Sequence, residues 1–347
     1  MAEIRLLLTG ATGFIGGSVL SGLLGSQNDT IKKLKISALV RREEQAPDLK
    51  ARGVEPILFS DLDDSEAIRR AAREHDVVIN TASGYHVGAA KALVQGLGDR
   101  KKDTGKEVFF IHTSGTSNLG DYPVTGKYHE NRVFSDEEDI YGYEKSREAV
   151  DPYPQRTTDV VIIDTAREVG IKTYIIMSPT IYGVGSGFFN KLSIQIPLLT
   201  KVATAQKQSI VIGNGDAVWN HVHIADLVDL YVLFVEKLLS GADIPSNEKG
   251  IYFSETGEQS WREVSEGVAK AGFALGALNT ADVKSVSVEE AAKLFGVDAQ
   301  LAELGFASNS RTKSILAHKM LGWSPKRTKD DFFATFETEF KIIYEAK

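Results

Sequence analysis

The 347-residue sequence holds 40 basic and 47 acidic side chains, a formal net charge of −7, with 42% hydrophobic and 25% charged residues. This globular composition suffices for one large domain or two modest ones and excludes disorder as the main state. The acidic balance without a Lys/Arg stripe argues against nucleic acid, and the absence of cysteine removes disulfides, thiolate metal ligands and cysteine nucleophiles. No run of about 18 apolar residues is present to span a membrane, and no signal segment precedes Ile4. The expectation is a soluble, cytoplasmic protein with a small-molecule partner and no membrane partner; a homodimer is allowed.

Residues 4–9, 35–40, 56–59, 76–81, 107–112 and 172–177 predict buried strands, because Ile, Leu, Val and Phe fill both faces. Helical patterns lie between them. In the first, Phe14, Ile15, Val19, Leu20, Leu23 and Leu24 fall at helix spacing, and Gly25, Ser26 and Asn28 supply an exit. A further helix is predicted over 157–169. Strand and helix alternating in this way give an α/β fold with a doubly wound parallel sheet. Residues 1–183 form this unit, completed by about 216–254 and 311–347, with helices at 222–240 and 313–322. Residues 184–215 and 255–310, where the pattern loosens, form a smaller mixed region. Between Gly120 and Thr158 the chain is polar, and Asp151-Pro152-Tyr153-Pro154 prevents a continuous helix.

Thr9-Gly10-Ala11-Thr12-Gly13-Phe14-Ile15-Gly16 sits where the first strand gives way to the first helix. Gly10 would turn the chain, Gly13 would let backbone approach a pyrophosphate, and Gly16 would let the helix pack on the sheet. Gly10, Thr12, Gly13, Phe14, Ile15 and Gly16 are therefore candidate contacts to a dinucleotide. The second strand ends in Val40-Arg41-Arg42. An acidic residue there would accept from a ribose 2′-OH, whereas a guanidinium suits a 2′-phosphate, so Arg41 and Arg42 predict NADP(H) over NAD(H).

These residues, with Ser60-Asp61-Leu62-Asp63-Asp64, Val77-Val78-Ile79-Asn80-Thr81-Ala82, Ser178-Pro179-Thr180-Ile181-Tyr182-Gly183, Ile212-Gly213-Asn214-Gly215, Trp219-Asn220-His221-Val222-His223-Ile224-Ala225-Asp226-Leu227 and Leu321-Gly322-Trp323-Ser324-Pro325, resemble the extended short-chain dehydrogenase/reductases, the NAD-dependent epimerase/dehydratase superfamily. The resemblance implies a Rossmann-type sheet with a smaller C-terminal substrate region. It also implies Asp61 and Leu62 at the adenine, Thr81 and Ala82 beside the ribose and pyrophosphate, and Pro179, Ile181 and Tyr182 near the nicotinamide. Phe188, Phe189 and Asn190 would lie on the substrate side.

Members of that superfamily use a Tyr-x-x-x-Lys pair, in which the cation lowers the phenol pKa, and a hydroxyl that holds the substrate oxygen. The spacing match here is Tyr141-Gly142-Tyr143-Glu144-Lys145, and Thr113-Ser114-Gly115-Thr116-Ser117 ends the fifth strand. By the resemblance the hydroxyl position falls on Gly115, so Ser114 or Thr116 would substitute. The Tyr and Lys places fall around Asp151 to Gln155, about ten residues beyond Tyr141. This departure resembles an atypical fungal branch of the superfamily. Tyr85 and His86 follow the fourth strand at the edge where parallel sheets bind ligands, and would supply a general acid if Tyr141 lies elsewhere. His112, within an apolar strand, reads as a core residue, and His221 and His223, with no Cys or carboxylate pair beside them, predict no metal site. The expected function is an NADP-dependent oxidoreductase acting on a small carbonyl or alcohol. Alternatives are a non-catalytic NADP(H)-binding sensor, or epimerase or dehydratase chemistry on the same fold.

Overall fold

The computed structural model describes residues 3–345. Its elements run β1 (Arg5–Thr9), α1 (Phe14–Gly25), β2 (Lys35–Val40), α2 (Ala46–Lys50), β3 (Glu55–Leu58), α3 (Ser65–Arg73), β4 (Val77–Asn80), α4 (Val87–Thr104), β5 (Phe109–Gly115), β6 (Phe134–Ser135), α5 (Ile140–Glu148), α6 (Pro154–Val169), β7 (Lys172–Ser178), β8 (Thr180–Tyr182), α7 (Gln195–Gln206), β9 (Ser209–Ile212), β10 (Val218–His223), α8 (Ile224–Leu239), β11 (Ile251–Phe253), β12 (Gly257–Ser260), α9 (Trp261–Ala274), β13 (Val283–Val286), α10 (Val288–Phe295), α11 (Ala299–Phe306), β14 (Thr312–Lys313) and α12 (Lys329–Glu345).

Seven strands form one sheet in the order β11-β7-β5-β4-β1-β2-β3, parallel throughout. The apolar runs read from the sequence form the strands expected, because a parallel sheet covered by helices buries both of its faces. Leu6 and Leu8 face the core beneath α1 and α8, while Leu7 faces the core beneath α3, α4 and α6. The strand order reverses between β1 and β4, which opens a crevice at their C-terminal ends.

A second core gathers α7, α9, α10, α11 and the strand pair β9-β13 around Trp261, Phe295 and Phe306. Of residues 311–347, Leu316, Ala317, Leu321 and Trp323 pack in the first core, whereas α12 departs from the expectation: Phe332, Phe336 and Phe340 bury in the second core, because their apolar spacing faces α7 and α9. Strand β10 joins β8 and β12 in a three-stranded sheet, so the chain crosses between the cores at Tyr182 and His221. No helix among the described residues is long and apolar enough to cross a membrane.

Candidate active site

The glycine loop forms the floor of the crevice. Gly10 has φ +73°, and a Cβ there would lie 2.7 Å from Thr81 Oγ1 and 2.8 Å from the Ala82 nitrogen. A Cβ at Gly16 would overlap both the Gly10 carbonyl and Thr81 Oγ1. Thr81 Oγ1 donates to the Thr9 carbonyl at 2.7 Å, and Thr9 Oγ1 donates to Asn80 Oδ1 at 2.6 Å, so β1 and β4 are cross-tied where the loop begins. Helix α1 starts without a side-chain cap, leaving the first-turn N–H groups of Phe14, Ile15 and Gly16 available to an anion. Thr12 and Ala82 lie at the rim.

Arg41 and Arg42 extend from the end of β2 and are both exposed. Arg42 approaches Glu44 at 3.5 Å and, with the Gln45 amide turned to satisfy both its ends, donates to that amide at 2.7 Å. Arg41 makes no such contact, so its guanidinium is the uncommitted one beside the loop. Asp61 accepts from the Asp63 nitrogen in the turn after β3, and Leu62 packs on the core.

The catalytic pair expected from Tyr-x-x-x-Lys spacing is not at this edge. Tyr141 donates to Asp164 on α6, and Lys145 Nζ stands 3.1 Å from the Tyr141 hydroxyl and 3.6 Å from Asp164. Asp164 lies nine residues along α6 from Gln155, roughly 13 Å at 1.5 Å per residue, and toward the opposite end of the strands. Burial and the Asp164 carboxylate both raise the Tyr141 pKa. Ser114 turns inward to Asp159, and the Thr116 hydroxyl is buried without a partner, so neither substitutes at Gly115 as expected.

A different group stands at the C-terminal edge. The Tyr85 hydroxyl is 3.1 Å from that of Tyr153, Tyr153 donates to Ser117 Oγ at 3.2 Å, and Ser117 donates to Gln155 Oε1 at 2.7 Å. The Tyr85 and Tyr153 rings meet edge to face at 5.9 Å, with Tyr153 buried and Tyr85 43% exposed. Gly84 and Gly115 make room for Gln155: a Cβ on either would sit 3.0 Å from its amide. Pro154 takes the first turn of α6, where its missing N–H costs nothing, so the prolines start a helix and carry Tyr153 and Gln155 to the edge. Burial raises the pKa of both Tyr85 and Tyr153. Tyr153, Ser117 and Gln155 were missed as site residues; the only sequence signal for the first and last was that they fall where the resemblance puts its catalytic pair.

Other expected contacts move elsewhere. His86 caps α4 through the Ala89 nitrogen and pairs with Asp63 at 3.1 Å, a structural role. Tyr182 is fully buried among His221, His223 and Phe332, while Ile181 precedes it on β8 and Pro179 lies between β7 and β8. Phe188, Phe189 and Asn190 turn back over α1 rather than toward the phenols. The Asn190 nitrogen donates to the Thr12 carbonyl at 3.3 Å, the Arg52 guanidinium lies 4.2 Å over the Phe188 ring, and Phe189 packs on the first core. Gly185 and Gly187 permit this by packing against Phe14 and Gly17. His221 pairs with Gln259 and His223 caps α8; no group of His, Asp or Glu among the described residues is arranged to hold a metal.

The NAD(P)H-binding family model matches residues 10–229. The oxidase ucsJ of an Acremonium species is 27% identical over 92% of each chain, and an uncharacterized protein of Schizosaccharomyces pombe is 29% identical over 93% of this chain and 95% of its own. Among solved structures, the dTDP-glucose 4,6-dehydratase DesIV of Streptomyces venezuelae, with NAD bound, superposes with a TM-score of 0.67 at 17% identity, over 99% of this chain and 98% of its own.

Proposed function

The chain belongs to the NAD(P)H-binding family, and on that footing we propose that it is an NADP(H)-dependent oxidoreductase reducing a small carbonyl held above the ends of β4 and β5. The observation that carries this is the meeting, at one sheet edge, of a tightly packed glycine loop opening an uncapped helix with a hydrogen-bonded chain of two phenols, a hydroxyl and an amide. The residues present fit the cofactor. Gly10 and Gly16 let the loop pack closely on Thr81, the uncapped first turn of α1 would meet its phosphates, and Arg41 is free for a 2′-phosphate. When bound, NADPH would supply the hydride.

Tyr85 is the proton donor in this reading, because it is the exposed member of the chain and follows β4 at the edge where parallel sheets bind ligands. Tyr153 and Ser117 hold that hydroxyl, and Gln155 closes the chain, its amide packed against Gly84 and Gly115. Gln155 is neutral, and both phenols stay protonated at neutral pH, the form that donates to a carbonyl oxygen, which favours carbonyl reduction over alcohol oxidation.

The test is NADPH consumption on a panel of aldehydes and ketones by wild type, Tyr85→Phe and Tyr153→Phe. The proposal expects turnover in wild type and a fall of about 100-fold or more in Tyr85→Phe, the scale of general-acid catalysis. Full activity in Tyr85→Phe would overturn the assignment of the donor. A second reading, an NADP(H) sensor, is favoured by Gly115 and Gln155 standing where the resemblance expects a hydroxyl and a cation. NADPH binding with no turnover on the whole panel would select it.

A further inference from the structure

Behind the phenol chain lies a polar cluster that the proposed chemistry does not use. Asp159, on α6, accepts from Ser114 Oγ at 2.5 Å and from Asn118 Nδ2 at 2.8 Å. Asn118 Nδ2 also donates to Glu144 Oε1 of α5 at 2.7 Å. His112 Nε2 stands 3.5 Å from Asp159 Oδ1, while its Nδ1 takes a hydrogen bond from Asn80 at 3.0 Å, which leaves Nε2 as the protonated nitrogen. Asp159, Glu144, Asn118 and His112 are all fully buried.

Two oxygens in this cluster have no partner, Glu144 Oε2 and Asp159 Oδ1. They belong to carboxyls bridged by one nitrogen, Asn118 Nδ2, at 2.7 Å and 2.8 Å. Two ionised carboxylates in so dry a place would repel at great cost. One proton held between the two carboxyls removes that repulsion, and His112 Nε2–H, 3.5 Å from Asp159 Oδ1, faces the carboxylate that remains. The other groups facing the pair are His112 of β5, kept neutral by burial, and Arg156 of α6, which is committed to Glu148, the Asn118 carbonyl and the Asp151 carbonyl.

We propose that Glu144 and Asp159 share one proton across α5 and α6, and that this proton positions the Ser114–Asn118 turn, with Ser117 and Gln155, for the cofactor; only the second half rests on the functional reading above. Asp159 grips the turn at Ser114 and at Asn118, either side of Gly115 and Ser117, and it lies one helical turn beyond Gln155. Loss of the proton leaves two facing carboxylates, which drives α5 from α6 and slackens the turn. Both are positioning residues, not catalytic ones.

Burial raises both carboxyls. The stabilisation is therefore complete in acid, below the pKa of about 4 of an unfolded carboxyl, and is lost as pH rises toward the raised value of the pair. Glu144→Gln replaces the proton with a permanent N–H donor and still accepts from Asn118. Asp159→Asn does the same from the other side and serves if the first variant does not fold. Denaturant unfolding of the whole chain between about pH 5 and 7 should show the wild-type unfolding constant rising about tenfold more per pH unit than that of either variant. Equal slopes would overturn the shared proton. NADPH affinity, followed by its fluorescence, should fall at alkaline pH in wild type and stay level in Glu144→Gln; parallel falls would overturn the positioning role. No NADPH binding by wild type at any pH would overturn the functional reading and the positioning role together, while the unfolding slopes still decide the proton.

Discussion

The side-chain amide of Gln155 lies against Gly115, so closely that a Cβ on the glycine would stand 3.0 Å from both its nitrogen and its oxygen. The two residues explain each other: the amide occupies the space that a side chain at position 115 would need. Gly115→Ala should push Gln155 off Ser117 and lower turnover about tenfold. Because the displaced group is the end of a flexible side chain, unfolding free energy should change by no more than about 1 kcal/mol. Steady-state kinetics beside denaturant unfolding check both halves.

At the glycine loop, Gly16→Ala has no such relief, since its Cβ would overlap the Gly10 carbonyl and Thr81. It should destabilise the fold by about 1–3 kcal/mol, the range for overpacking a tight site, and abolish NADPH binding measured by calorimetry.

Arg41 and Arg42 should separate. Arg41→Ala should weaken NADPH binding about tenfold or more, one charge-assisted contact to phosphate, and leave NADH binding unchanged. Arg42→Ala should have the smaller effect, because Arg42 is already engaged by Glu44 and Gln45. Thermal shifts with the two cofactors would read this, and equal losses in the two variants would remove the distinction.

Tyr141→Phe and Lys145→Ala should leave turnover and NADPH affinity within about twofold of wild type. The Tyr141 hydroxyl ties α5 to Asp164, so its loss should appear only as about 0.5–1.5 kcal/mol of stability. A collapse of turnover with unchanged stability would return these residues to the catalytic centre.

The phenols carry a pH prediction of definite sign. Burial raises Tyr85 and Tyr153 above the ordinary phenol value, so both stay protonated through neutrality and beyond about pH 10. The reductive rate should therefore show no alkaline loss from the proton donor up to that range. Gln155→Lys should bring one phenol ionisation to lower pH, visible in ultraviolet difference titration against Tyr153→Phe and Tyr85→Phe controls.

Much of the fold could be read from the sequence because parallel strands buried on both faces are continuous apolar runs. β1, β2 and β7 appear within a residue of where those runs put them. The glycine loop was equally legible, since its three glycines answer to local close approaches. The catalytic edge was not. Tyr141 and Lys145 have the right spacing for one helix face, but only the antiparallel packing of α5 on α6 shows that this face meets Asp164. Pro152 and Pro154 suggested a break, yet Pro154 begins a helix and delivers Tyr153. Tyr85 could be named from its place after β4, whereas its bond to Tyr153, 68 residues away, is purely tertiary. The same holds for Phe188 and Asn190, whose return onto α1 depends on Gly185 and Gly187 fitting against it.

The central claim is that hydride passes from NADPH to a carbonyl beside Tyr85. The most direct measurement is mass spectrometry of the alcohols formed from the carbonyl panel with NADPH deuterated at nicotinamide C4. The account predicts deuterium on the new carbinol carbon with wild type, and a yield lower by about 100-fold or more with Tyr85→Phe. NADPH that binds to wild type but transfers no label to any member of the panel would contradict it.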